Sequence, residues 1–191
     1  MKPIVPLVRT WSGVNGERLN LVTLKKKGLL AKEAELTRGQ VGCFFSHRRI
    51  WQRVADKEIP YALVMEDDAK WAVGGYRMAR PLVTKKLEYL NQMYPTWDIL
   101  LLARSPRLRK NQCIVAPGVV KTGPFWGLFA YVVSRRGALK LLNDNGVKVP
   151  CEPVDVVVSD MAVAGTLEVF ALNPAACNYR TELKSDTDGI L

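Results

Sequence analysis

Histidine occurs once in this chain of 191 residues, and cysteine only four times. Cys43, Cys113, Cys151 and Cys177 are widely scattered, with no CxxC pair and no nearby histidine partner. That spacing excludes a zinc-ribbon pattern and gives little basis for a disulfide framework. Cys43 and Cys177 stand in apolar surroundings and are expected to be ordinary buried thiols. Neither GxGxxG nor GxxxxGKS/T occurs, which argues against a Rossmann dehydrogenase and a P-loop kinase. GxSxG is missing too, so no nucleophile elbow is expected. No apolar run approaches the length of a membrane span, and residues 1–10 lack the apolar core of a signal peptide. The expected location is cytoplasmic, with peripheral membrane contact through charge as a further option. There is no internal repeat and no low-complexity tract.

Acidic residues are also in short supply, 18 against 28 basic ones, for a formal net charge of +10. Such an excess attracts polyanions: nucleic acid, an anionic membrane face or a phosphorylated substrate. The basic clusters are Lys25-Lys26-Lys27 and the run Arg104, Arg107, Arg109, Lys110. Each is read first as solvated surface. With no recognised nucleic-acid motif, and with the aromatics inside apolar runs, no specific nucleic-acid partner is expected.

The few acids are distributed unevenly, and this is the informative feature. Residues 61–68 read Tyr-Ala-Leu-Val-Met-Glu-Asp-Asp, an apolar strand-like run ending in three consecutive carboxylates. Open α/β folds place ligands at the C-terminal ends of their strands. Three carboxylates gathered at such an end repel one another unless a divalent cation sits among them. Glu66, Asp67 and Asp68 thus read as a hard-metal site suited to a phosphate-bearing substrate, or as a solvated acidic turn. A second acidic group, Glu152, Asp155 and Asp160, follows Pro150. Asp155 stands where a loop gives way to a helix, and is read either as a general base facing the first group or as a helix cap.

The hydrophobic pattern alternates strands and helices. Thr37 and Gln40 form a capping-box signature for a helix running to about Asp56, with Val41, Phe44, Phe45, Trp51 and Val54 at helical spacing. His47 shares their face, either as a satisfied core group or as a hydrogen-bonding partner near the acids, with Ser46 beside it. A short edge strand is expected within residues 4–8, further strands at 61–65, 97–102, 128–133 and 167–172, and helices near 79–93 and after Ser134. Pro81 suits the first turn of the former helix. The segment Gly123-Pro-Phe-Trp-Gly127 is turn-rich, and Phe125 and Trp126 are read as core packing or as a stacking surface for a sugar or base. Together these elements predict a single α/β domain over residues 1–191, with a largely parallel central sheet flanked by helices and a loose tail at 183–191.

Two of these pieces carry a resemblance. Leu36-Thr-Arg-Gly-Gln-Val-Gly-Cys-Phe-Phe-Ser-His47, followed after thirteen residues by Tyr61-Ala-Leu-Val-Met-Glu-Asp-Asp68, closely resembles glycosyltransferase family 25. That family includes lipopolysaccharide and lipooligosaccharide galactosyltransferases, procollagen galactosyltransferases and viral relatives. Gly127-Leu-Phe-Ala-Tyr-Val-Val-Ser-Arg-Arg-Gly-Ala138, Pro153-Val-Asp155 and Trp11-Ser-Gly-Val-Asn-Gly16 look like further family segments in the right order.

The resemblance implies a GT-A-like fold, Mn²⁺ or Mg²⁺, a UDP-sugar donor, and a saccharide, glycolipid or hydroxylated protein side chain as acceptor. It implies that Glu66-Asp67-Asp68 act as the DxD-type motif. Asp68 and Glu66 would be the metal ligands, Glu66, Asp67, Ser46 and His47 would border the cofactor, and Asp155 would be the base. The family's first strand–helix unit is expected to be missing here or replaced by Pro3–Val8. A C-terminal histidine ligand has no counterpart, leaving Asp186 or Asp188 as the acid that could stand in. A non-catalytic descendant acting as a binding or assembly module is the competing expectation.

Overall fold

A computed structural model describes residues 11–72, 74–105 and 112–179. The expected strand within Pro3–Val8, the basic residues Arg107, Arg109 and Lys110, and the acids Asp186 and Asp188 lie outside the described residues. A 3-10 turn, Gly16–Arg18, precedes α1 (Leu21–Lys26) and α2 (Arg38–Asp56). Next come β1 (Tyr61–Met65), the short β2 (Ala69–Trp71), α3 (Gly75–Met93) and β3 (Ile99–Ala103). A hairpin, β4 (Cys113–Ala116) with β5 (Val119–Lys121), leads to β6 (Ala130–Ser134). The chain continues through α4 (Arg135–Asn143), α5 (Asn145–Lys148), α6 (Val154–Val163), β7 (Val169–Leu172) and β8 (Cys177–Tyr179).

α2 begins where its capping signature places it. Thr37 Oγ1 accepts from Gln40 N at 3.2 Å, and Gln40 Oε1 accepts from Thr37 N at 2.8 Å. Ser134 caps α4 by accepting from the Gly137 amide at 3.0 Å. α3 starts earlier than its proline suggests, at Gly75, so Pro81 lies inside the helix. Arg77 and Pro81 both face solvent, so the carbonyl that Pro81 cannot serve is open to water. Arg104, grouped by sequence with a solvated basic run, is instead buried and donates to Gln112 Oε1 at 2.8 Å.

Six strands form one sheet in the order β1-β6-β3-β7-β5-β4, and β2 pairs with β8 in a separate ribbon. The α/β class holds, but the largely parallel sheet does not: every neighbouring pair except β3–β7 is antiparallel. The reason lies in the connections. β1, β3 and β7 are joined through helices and run in one direction, as alternating elements require. β6 enters instead from the β4–β5 hairpin, reversed, and slots between β1 and β3.

Helices cover both faces. Ile99, Leu101, Tyr131, Val133, Val169 and Ala171 pack with Phe44, Trp51 and Val54 of α2, Leu141 of α4 and Val158 of α6. Leu100, Leu102, Val132, Phe170 and Leu172 pack on the other side with Val83, Leu87 and Leu90 of α3. The alternation of Ile99/Leu101 against Leu100/Leu102 along β3 is the period-two signature of a strand buried on both faces. At the start of β3, fully buried Asp98 accepts from Lys140 Nζ at 2.7 Å and from the Glu168 amide at 2.8 Å, tying β3 to α4 and the approach to β7.

Candidate active site

β1 is an edge strand, and its partner β6 sets where its acids go. Met65 pairs with Ala130, and one residue further on the Glu66 amide still donates to the Phe129 carbonyl at 2.9 Å. The chain then turns, with the Ala69 amide donating to the Glu66 carbonyl at 3.1 Å, and enters β2. Glu66, Asp67 and Asp68 are therefore held in a tight turn at the sheet edge. Asp67 is exposed, whereas Glu66 and Asp68 are half-buried.

Asp68 Oδ1 is shielded from solvent and has no hydrogen-bond partner among the described residues. Burial pushes the Asp68 carboxyl above its ordinary range, and the neighbouring Glu66 and Asp67 charges push it further. An orphaned carboxylate oxygen beside two like charges is what a hard divalent cation would satisfy, so these residues fit Mn²⁺ or Mg²⁺.

Glu66 is gripped from beneath by a buried chain of polar groups. Trp51 Nε1 donates to the Tyr131 hydroxyl at 3.0 Å, Tyr131 Oη lies 2.8 Å from His47 Nδ1, and His47 Nε2 lies 3.0 Å from Glu66 Oε1. Because the indole can only donate, the network is satisfied when Tyr131 donates to Nδ1 and the imidazole donates from Nε2 to the carboxylate. Burial raises the Tyr131 hydroxyl well above its ordinary value, so it remains a donor. His47 is thus both a core group and a hydrogen-bonding partner of the acids. It occupies α2 one turn before Trp51, on the helix face that packs on β6.

Ser46 belongs to a different neighbourhood. Its hydroxyl donates to Gly42 O at 2.7 Å and accepts from the Val14 amide at 2.8 Å. Those bonds fasten the Val14–Gly16 segment across α2, and neither reaches the acids. Gly42 permits the crossing: a Cβ there would stand 2.7 Å from Val14 O and 3.0 Å from Gly16 Cα.

Asp155 arrives from the first turn of α6, but not as a cap, since Pro153 holds that position. Its Oδ2 instead accepts from the Gly127 amide at 2.8 Å, fastening the segment ahead of β6. Asp155 holds the Gly127 amide two residues before Phe129, whose carbonyl accepts from the Glu66 amide, so Asp155 and the acidic turn flank the same stretch entering β6. Burial first, and then the charges of Glu66, Asp155 and Asp68, raise the Cys43 thiol far above its ordinary value. Cys43 also corrects the view that no cysteine has a histidine partner. Its Sγ, a His47 ring nitrogen and a Glu66 oxygen lie within 4.8 Å of one another. That mixed donor set could hold a borderline cation such as Zn²⁺.

Sequence reasoning missed Tyr131 and Cys43. The Cys43–His47–Trp51 spacing of four was a readable helix stripe. Tyr131 carried one signal, a hydroxyl inside an otherwise apolar strand that would need a buried partner. Two shallow hollows of about 390 and 250 Å³ lie elsewhere, one lined by Arg136, Lys140 and Thr166 and the other by Trp11, Arg49 and Arg53. Neither is lined by Glu66, Asp68 or Asp155.

Comparison with known proteins points to the same segment of the chain. Residues 14–100 match the model of "Glycosyltransferase family 25 (LPS biosynthesis protein)", a span that contains α2, His47 and the three acids. The chain is 29% identical over 150 residues to procollagen galactosyltransferase 2 of Homo sapiens, covering 72% of this chain and 23% of that protein. It is 34% identical over 128 residues to procollagen galactosyltransferase 1-A of Xenopus laevis, covering 63% and 19%. It is 32% identical over 148 residues to the "Probable inactive glycosyltransferase 25 family member 3" of Rattus norvegicus, covering 70% and 24%. The chain thus spans about a fifth to a quarter of the length of these relatives. The segment carrying the Ser-His helix and the Glu-Asp-Asp turn is thus the part of the chain that matches glycosyltransferase family 25.

Proposed function

We propose that this chain transfers a sugar of the galactose or glucose type from a UDP-sugar to a hydroxyl of a saccharide, glycolipid or hydroxylated protein side chain. The observation that carries the reading is that Asp155 and Glu66 are both hydrogen-bonded to the stretch entering β6, with Asp68 Oδ1 in the adjoining turn left unsatisfied. Asp68 and Glu66 would hold Mn²⁺ or Mg²⁺, whose chemistry is to neutralise charge on the diphosphate leaving group. His47 keeps Glu66 in place, and through Tyr131 and Trp51 its orientation is set before any ligand arrives. Asp155 has one oxygen on the Gly127 amide, which fixes the carboxylate while the other oxygen can take a proton from the acceptor hydroxyl.

The distinction between base and fastener is testable. UDP release from UDP-galactose and UDP-glucose should be followed with saccharide and hydroxylated-peptide acceptors, in wild type, Asp155→Asn and Asp155→Ala. A positioned base contributes roughly 10²–10⁴-fold, so both variants should lose turnover by about that factor. Asparagine can still accept from the Gly127 amide, so retention of the rate by Asp155→Asn alone would reduce Asp155 to a fastener.

A catalytically inactive binding or assembly role is the second reading. It is supported by relatives named inactive, at 32% identity in rat and in mouse. UDP binding without turnover on any acceptor class would favour it.

A further inference from the structure

The segment between β5 and β6 is fastened at three successive residues, twice to α6 and once to the chain just past the end of β3. The Phe125 amide donates to Ser159 Oγ at 3.0 Å, the Trp126 carbonyl accepts from the Ser105 amide at 2.8 Å, and the Gly127 amide donates to Asp155 Oδ2 at 2.8 Å. Phe125 is fully buried and Leu128 nearly so, yet Trp126 between them is 47% exposed. Gly127 adopts φ +86°, and a Cβ there would stand 2.1 Å from the Phe129 ring, so the turn that presents Trp126 requires glycine. A large aromatic side chain thus stands partly in solvent on a backbone that is fixed before any ligand binds.

Its backbone neighbours place the residue near the acids. Three residues on, the Phe129 carbonyl accepts from the Glu66 amide, so at most about 10 Å of chain separates Trp126 from the residue paired with Glu66. The other aromatic rings here are engaged: Phe125 is interior, and Phe129 stacks on Tyr179 at 4.3 Å with an 18° interplanar angle. Among the described residues Trp126 has no ring partner. Its next residue is held by Asp155, the carboxylate assigned to the acceptor hydroxyl.

We infer that Trp126 forms the acceptor subsite and takes a pyranose ring against its indole face. A pyranose offers a flat patch of C–H groups with hydroxyls at its rim. An exposed indole one residue from the amide that holds a carboxylate matches the former by stacking, and the carboxylate the latter by hydrogen bonding. Resting on the transferase reading above, this narrows the acceptor from any hydroxyl to one on, or next to, a sugar ring.

The test uses the full chain with Trp126→Ala and Trp126→Phe, and methyl β-D-galactopyranoside and methyl β-D-glucopyranoside as probes. Binding is read by saturation transfer to the sugar C–H protons and by the difference in tryptophan fluorescence between wild type and variant. A parallel thermal scan with UDP and Mn²⁺ reports the fold and the donor site. The expected result is a sugar-titration midpoint raised roughly tenfold in Trp126→Ala and much less in Trp126→Phe, with an unchanged UDP response. Equal sugar binding by wild type and Trp126→Ala would overturn the subsite. So would a wild-type protein that responds to UDP and Mn²⁺ but binds neither sugar. Trp126-dependent sugar binding without any UDP response would sustain the subsite and overturn the transferase reading instead. Absence of both responses would overturn both.

Discussion

Asp68 shows how a residue can be placed against its own stability. Its carboxyl is raised by burial and by the Glu66 and Asp67 charges, so the folded chain binds a proton there more tightly than the unfolded chain does. Where the folded state holds more protons, stability falls as pH rises, from about the ordinary value of 3.8 up through the raised one. Asp68→Asn removes that repulsion. Without metal, the variant should melt higher than wild type at neutral pH, and the gain should vanish in acid well below 3.8, as thermal scans across pH would reveal. A variant less stable than wild type at neutral pH would contradict the assignment of repulsion. Tyr131 presents the opposite case, a polar group fully used. Tyr131→Phe would leave the Trp51 indole N–H and His47 Nδ1 buried without their partner. The expected loss is about 1–3 kcal/mol by urea unfolding. Trp51→Phe combined with Tyr131→Phe should cost less than the sum of the singles, because the orphaned donor is gone.

Among the elements, α2 carries the greatest share of the site, since one helix holds its own capping box, the Gly42 crossing, Ser46, His47 and Trp51. Gly42→Ala gains up to about 1 kcal/mol of helix propensity. It also drives a methyl group against Val14 O and Gly16, both backbone and unable to swing aside. Overpacking of this kind costs about 1–3 kcal/mol, so the net effect by urea unfolding should be destabilising. A stabilised variant would show that the Val14–Gly16 segment is free to move off the helix. The elements most legible in the sequence share a trait with α2: their signals are local. Thr37 with Gln40, Ser134 ahead of its leucines, and the apolar runs of β1, β3, β6 and β7 could be read within a few residues. β2 and β8 could not, because each has three residues and Ala69 finds its partner at Tyr179. The β4–β5 hairpin was hidden by the exposure of Cys113 and Ile114, although Pro117-Gly118 marks its turn. Missing that hairpin is what made the sheet read as parallel.

At the scale of the whole molecule, the sheet order converts separate sequence segments into one chemical edge. β6 lies between β1 and β3, so the stretch entering β6 is set beside the acids leaving β1, and Asp155 reaches the same edge from α6. The acidic turn was legible because three carboxylates ended an apolar run. The support beneath it was not, because His47 and Tyr131 are 84 residues apart and meet only through folding. The formal net charge of +10 gives the whole chain an attraction for anions. No helix among the described residues is long and apolar enough to cross a membrane. The central claim, that the edge binds a nucleotide diphosphate through a cation, is tested most directly by thermal unfolding with UDP, with and without Mn²⁺, in wild type and Asp68→Ala. At about a hundred times its dissociation constant, UDP should add roughly 2.7 kcal/mol of apparent stability to wild type with Mn²⁺. That gain should disappear when Mn²⁺ is withheld or Asp68 is removed. An equal shift without Mn²⁺, or one that survives Asp68→Ala, would contradict the account.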